Sequence, residues 1–252
     1  MADTPAELVH YEVADQVATI TLDSPHNRNA LSRQLVTELL ACLERADQDP
    51  DALVVLLKSS GRVFCSGADL SEASTTPMEE GARAMVRMQR SVAALSKPVV
   101  TVVLGAARAG GIGLVASSDI VIVADDATFA LTEVKLGLAP AVISLTVFPR
   151  LTPRAASLTA LGGEVFTGAQ AADYGLATKA VPADQLDAAV AEMLAQLTTG
   201  ALQGLRETKQ VLNAPLLANI DAGADAMVAL SARLFGSDEA REAMTAFLSR
   251  GK

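Results

Sequence analysis

The chain has 252 residues, half of them hydrophobic, enough to bury one substantial core. With 29 acidic against 20 basic residues its formal net charge is −9, and no basic cluster offsets this, so nucleic acid is not an expected partner. Two cysteines (Cys42, Cys65) and two histidines (His10, His26) without metal-ligand spacing argue against a disulfide framework, a structural zinc and a histidine-based triad. The opening MADTPAELVHYEV has neither a signal-peptide core nor the arginines of a transit peptide. Apolar runs such as PVVTVVLGAA fall short of the ~20 residues that span a bilayer. A soluble cytoplasmic protein with no membrane span is the expectation.

LVHYEV and QVATITL, separated by Ala14 and Asp15, read as a hairpin. Leu31, Leu35, Leu39 and Leu43 recur every fourth residue and predict a helix ending near Asp49-Pro50. ALVVLLK at 52–58 reads as a buried strand, and Val63 to Cys65 as a short strand inside a glycine-bearing loop. Met85, Met88, Val92 and Leu95 mark a second amphipathic helix, closed by Lys97-Pro98 before the strand PVVTVVL. A loop from Gly105 to Gly113, a short helix and the strand DIVIVAD follow, so strand, strand and helix repeat, which favours an α/β arrangement. Beyond about residue 183 the strand signals stop. DQLDAAVAEMLAQL, ALQGLRETKQVL, an alanine-rich stretch to Phe235 and DEAREAMTAFL read as successive helices. The expected division is a core over 1–182 and a helical region over 183–252 within the same structural domain.

Two loops place small residues directly after a buried strand: Phe64-Cys65-Ser66-Gly67-Ala68-Asp69-Leu70, and Gly105 to Gly113. Small residues let a ligand approach the main chain, and a helix starting at such a turn presents unpaired N–H groups toward negative charge. Taken singly, each reads first as a tight turn between packed elements. Gly105 and Gly110 have P-loop spacing, but Gly111 and Ile112 stand where lysine and a hydroxyl residue are needed. The glycines also fail the dinucleotide-binding pattern. In ATFALTEVKLGLAPA, Glu133 sits among Phe129, Leu131, Val134 and Leu136. A carboxyl group there is desolvated and its pKa raised toward the range useful for proton transfer. The plainer alternative is half of an ion pair with Lys135.

VFCSGADL, then KPVVTVVLGAARAGGIGLVASSDIVIV, then FALTEVKLGLAPA resemble in order and spacing the crotonase superfamily, the enoyl-CoA hydratase/isomerase family. VATITLDSPHNRNAL, GLATKAVPADQL and LFGSDEAREAMTAFL extend the resemblance over nearly the whole chain. It implies a crotonase (ClpP-like) α/β spiral of repeated ββα units, with C-terminal helices that pack in a homotrimer or homohexamer. It implies an acyl-CoA thioester as substrate, with coenzyme A part of that substrate and no separate cofactor. The thioester oxygen would lie between the backbone N–H groups of Ala68 and Gly110, with Glu133 as the catalytic residue. Arg28, Ala30, Ser66, Asp69, Leu70, Gly111, Gly113, Thr132, Ala141 and Phe247 would border acyl-CoA, Phe247 at the adenine.

Family hydratases with two catalytic carboxylates carry one glutamate in the helix after the glycine run and another twenty residues on. Here the later one is Glu133 and the earlier position is Gly113. Three readings stay open: a hydratase in which Glu133 does both tasks, a Δ3-Δ2 enoyl-CoA isomerase needing one base, and a binder of acyl-CoA with little turnover. The first ranks ahead because TEVKLGLAPAVIS is closer to hydratase-like members, although Pro140 to Thr146 predicts a dry acyl pocket. A glutamate placed at position 113 is expected to raise hydration.

Overall fold

The computed structural model describes residues 6–69, 71–72 and 77–250, with side chains up to residue 246. The chain opens with the hairpin of β1 (Val9–Ala14) and β2 (Val17–Leu22). Its two-residue turn, Asp15 and Gln16, has φ of 50° and 66°, the hand that matches strand twist in a tight hairpin. Ala18, Ile20 and Leu22 are buried on one face of β2. Leu35, Leu39 and Leu43 are buried on α1 (Arg33–Gln48), whose first turn is capped by the Ser32 hydroxyl accepting from Leu35 N at 3.2 Å. Leu31, the first residue of the predicted stripe, lies before this cap and bridges to Ala68 instead.

A repeating unit follows. β3 (Val54–Ser59), β4 (Val63–Cys65) and α2 (Met78–Ala94) form one turn. β5 (Val99–Val103), β6 (Ala106–Arg108) and α3 (Gly110–Ser117) form the next. β7 (Ile120–Ala124) and β8 (Thr128–Ala130) begin a third, continued by a 3₁₀ turn at Glu133–Leu136 and by α4 (Ala141–Arg150). The first strand of each unit joins a six-stranded sheet, β1-β2-β3-β5-β7-β10, and the second joins a four-stranded sheet, β4-β6-β8-β9. This alternation is the spiral of ββα units. α5 (Pro153–Gly162), β9 (Phe166–Thr167), α6 (Gly168–Tyr174) and β10 (Lys179–Val181) complete the layers.

Two corrections to the sequence reading concern elements that local pattern does not reveal. Ala106–Arg108, expected as loop, is a strand because it is paired on both sides, by β4 and by β8. The two helices expected between residues 201 and 235 are one, α8 (Leu202–Phe235), which runs through Pro215. Pro215 and Val211, whose carbonyl loses its helical donor there, are both exposed, so the interruption lies away from the subunit core.

α7 (Leu186–Leu197) precedes α8, and α9 (Asp238–Arg250) follows it. Leu216, Ile220 and Val228 of α8 pack on Ala82, Val86 and Ala93 of α2 and on Leu145 of α4. A buried polar anchor holds the other end. Lys209 Nζ lies 2.9 Å from Asp119 Oδ2 and donates to the carbonyls of Val92 and Lys97 at 3.1 and 2.9 Å. Asn213 Nδ2 donates to Asp119 Oδ1 at 2.7 Å, and Val99 N donates to Asp119 Oδ2 at 2.7 Å. Among the described residues no helix is long and apolar enough to cross a membrane.

Asp119 thus compensates a lysine that is only 4% exposed. Asp119→Ala is expected to lower the unfolding free energy by about 3–5 kcal/mol, since it strands a buried ammonium. Urea denaturation of the folded variant reads this loss.

Candidate active site

The small sheet sets the site. β4 and β6 run parallel with Cys65 opposite Ala107, and β6 and β8 run parallel with Arg108 opposite Ala130. Ala68, Gly110 and Glu133 follow the carboxyl ends of these strands within three residues. That edge of a parallel sheet is where ligands bind in open α/β folds. Gly110 is the first residue of α3, so its N–H has no acceptor inside the helix. Among the described residues neither the Ala68 nor the Gly110 N–H is taken up by another group. The two arms are in contact: a Cβ built on Gly67 would lie 3.6 Å from Gly110 N.

The glycine run answers first to packing. A Cβ on Gly110 would stand 2.7 Å from Met85 Cε and 2.8 Å from Leu31 Cδ1, and one on Gly111 would stand 2.7 Å from Cys65 Cβ. Glycine lets α3 lie against α2 and β4. Ala109, just before the run, has φ 44° and ψ −118°, a conformation that costs an L-residue about 1–3 kcal/mol.

A second loop is knitted to the first arm. Arg28 and Asn29 both have positive φ, 59° and 53°. Buried Asn29 accepts from Ser24 N at 2.6 Å and donates to Val63 O at 2.9 Å. Ser66 N donates to Arg28 O at 3.1 Å, Leu31 N to Gly67 O at 2.8 Å, and Asn27 Nδ2 to Asp69 Oδ2 at 3.1 Å. Arg28, Ala30, Ser66 and Asp69 therefore share one edge, with Arg28 exposed and Ala30 buried. The Ser71 hydroxyl holds the Asp69 carboxyl below its ordinary range. Leu70 and the side chain of Phe247 lie outside the described residues.

Glu133 opens the 3₁₀ turn, directly after Thr132. Its Oε2 is buried without a hydrogen-bond partner. Burial pushes the carboxyl pKa from 4.5 to about 7, against a smaller opposing effect of the residue's own backbone N–H. Lys135 bonds Glu164 at 3.1 Å and turns away from Glu133, which removes the simple ion-pair reading. Gly137 ends the turn at φ 67° and lies against Ala240 of α9. Ala141, buried, begins α4 after Pro140.

Position 113 departs from the expectation. A Cβ on Gly113 would stand 2.8 Å from Ile143 Cγ2 and 3.0 Å from Gln89 Oε1. Gln89 is itself fixed, accepting from Thr146 Oγ1 at 2.5 Å and donating to Met85 O at 3.2 Å. A side chain at 113 therefore enters only if Ile143 and Gln89 shift, which corrects the idea that a glutamate there simply restores a missing acid. Gln89 escaped the sequence reading, in which Ile143 and Thr146 figured only within the stretch Pro140 to Thr146, although a glutamine on the inward stripe of Met85, Met88 and Val92 is a signal that it has a buried partner.

Two amide donors without acceptors, at the same sheet edge as a carboxyl group with one oxygen buried and unpaired, suit a reaction in which negative charge develops on an oxygen while a proton moves. The fold and this edge together define the crotonase class of acyl-CoA-processing enzymes. The model of the Enoyl-CoA hydratase/isomerase family matches residues 12–252, and the chain belongs to that family. The solved structure of an enoyl-CoA hydratase from Mycobacterium avium is similar over 97% of each chain, at 42% identity and a TM-score of 0.91. The 1,2-epoxyphenylacetyl-CoA isomerase of Escherichia coli K12 is 30% identical, over 97% of this chain and 96% of its own. The mevalonyl-coenzyme A hydratase of Aspergillus fumigatus is also 30% identical, over 94% and 90%. These last two relatives, one an isomerase and one a hydratase, thus lie at equal identity.

The Glu133 shift has a stability signature. Unfolded, the carboxyl ionises near 4.5; folded, at about 7. The folded state keeps a proton that the unfolded chain releases, so this group's contribution falls as pH rises through that window, by about 3 kcal/mol in all. Glu133→Gln is expected to gain stability relative to the parent between pH 4.5 and pH 7, read as a growing difference in thermal midpoint.

Proposed function

We propose that this protein is an enoyl-CoA hydratase that adds water across a 2-enoyl-CoA thioester with Glu133 as its single acid and base. The observation that carries this is the buried, unpaired Glu133 Oε2, on a group that changes charge near neutral pH. As carboxylate, Glu133 takes a proton from water while the water oxygen bonds to the β-carbon. The electron pair of the double bond moves onto the thioester oxygen, which accepts from Ala68 and Gly110 N–H. The enolate collapses, Glu133 returns the proton to the α-carbon, and 3-hydroxyacyl-CoA leaves with the base regenerated. A donor of this kind lowers the barrier by roughly 3–4 kcal/mol.

Arg28, Ala30, Ser66 and Asp69 border the coenzyme A, which is part of the substrate; no separate cofactor is called for. A non-catalytic binder is disfavoured, because a carboxyl oxygen buried without a partner only lowers stability where nothing uses it. Val211 and Leu212, exposed on α8 at 77% and 70%, support assembly through the C-terminal helices into a homotrimer or homohexamer.

One observation favours a second reading, Δ3-Δ2 enoyl-CoA isomerase. Ile143 and Gln89 close the side where a second acid would hold water. Isomerisation needs one base to carry a proton from the α-carbon to the γ-carbon, and no water.

Matched 2-enoyl-CoA and 3-enoyl-CoA substrates separate the readings. Formation of 3-hydroxyacyl-CoA from the conjugated isomer supports the hydratase; conversion of the 3-enoyl isomer without hydration makes the protein an isomerase. In either case Glu133→Gln is expected to lower kcat at least ~100-fold. Because the carboxylate is the active form, kcat/KM rises with pH through about 7 in the parent. Gly113→Glu is expected to lose thermal stability and to gain no hydration, because its Cβ meets Ile143 and Gln89.

A further inference from the structure

We propose that Ala109 is a positioning residue whose methyl group, seated against Gly67, sets the separation and aim of the two oxyanion donors. The inference rests on the assignment of Ala68 and Gly110 as donors. Ala109 immediately precedes Gly110, and Gly67 immediately precedes Ala68. Each N–H lies in the peptide plane shared with the residue before it, so ψ of Ala109 aims the Gly110 donor and ψ of Gly67 aims the Ala68 donor. These two aiming residues touch. A Cβ on Gly67 would stand 3.0 Å from Ala109 Cβ and 3.4 Å from Arg108 O, so the gap holds one methyl group and not two.

The conformations add a second observation. Gly67 has φ 95°, where glycine is the natural residue. Ala109 has φ 44° and ψ −118°, equally suited to glycine, yet carries a side chain. Strain of this sort persists only where the surroundings over-determine the backbone. Here α3 does so from one side, since Ala109 O accepts from Ile112 N at 2.8 Å and Gly113 N at 3.3 Å. The Gly67 contact does so from the other. The methyl group is a spacer between two main chains that would otherwise close on each other.

The test compares Ala109→Gly with the parent. Steady-state kinetics use whichever enoyl-CoA isomer the parent turns over. Donor strength is read without turnover, as the carbonyl stretch of a bound 13C-carbonyl-labelled 2-enoyl-CoA in a Glu133→Gln background. The parent site is expected to lower that stretch relative to free ligand, and Ala109→Gly to abolish about half of the lowering. kcat is expected to fall about 10-fold, less than the loss of a whole donor, with KM changed less than about 2-fold. The thermal midpoint of Ala109→Gly should rise by about 2–4 °C as strain is relieved. Ala109→Ser, which keeps the Cβ, should match the parent in stretch and kcat. An unchanged stretch in Ala109→Gly overturns the spacer, whether or not kcat falls. A parent site that leaves the stretch of bound ligand unaltered overturns the donor assignment itself, and the spacer with it.

Discussion

Three short parallel strands that end level with one another are the constraint on which the site depends. β4, β6 and β8 have three residues each, too few to persist alone. Each is held because its predecessor is locked in the large sheet and the connection between them is tight. Gly105, between β5 and β6, shows how tight: a Cβ there would stand 2.2 Å from Arg62 O. The repeat of the spiral therefore repeats the position of a strand end, and three such ends bring two amides and one carboxyl group to a common edge.

The electrostatics of that edge oppose stability. Glu133 is half-buried with one carboxyl oxygen buried and unpaired, and its ionisation is shifted to about 7 at the expense of the folded state as pH rises toward that value. Elsewhere the chain compensates its buried charges: Asp119 meets Lys209, and Lys97 Nζ reaches the carbonyls of Ala46 and Asp49 at 2.6 and 2.5 Å. Glu133 Oε2 is the exception among the described side chains, and an uncompensated group in a cleft is the usual physical mark of a working acid or base.

The neighbourhood of Gly113 is as informative for what fills it. Gln89, Thr146 and Ile143 stand against the position where a second acid would begin, with Gln89 held by Thr146, so a side chain there meets packed neighbours. Glu133 Oε2 is the buried carboxyl oxygen at this edge left without a partner among the described residues.

Much of this was legible in the residues. The leucine spacing of α1, the valine runs of β3 and β5, and the apolar setting of Glu133 are local signals, set by side-chain period and hydrophobicity, and the structure agrees with them. The order of the glycine-bearing motifs sufficed for the family and for the absence of a glutamate at 113. What local pattern does not carry is pairing across the chain. β6 is a strand because β4 and β8 flank it, α8 passes Pro215 on its exposed side, and Gly113 is crowded because α2 and α4 deliver Gln89 and Ile143 to it. The sequence by itself determined which chemical groups this protein has for moving a proton beside an acyl thioester. Only the tertiary structure decided their spacing and what stands between them, because the contacts that do so join residues 22 to 57 positions apart, such as Cys65 with Ala107, Arg108 with Ala130, and Gln89 with Thr146.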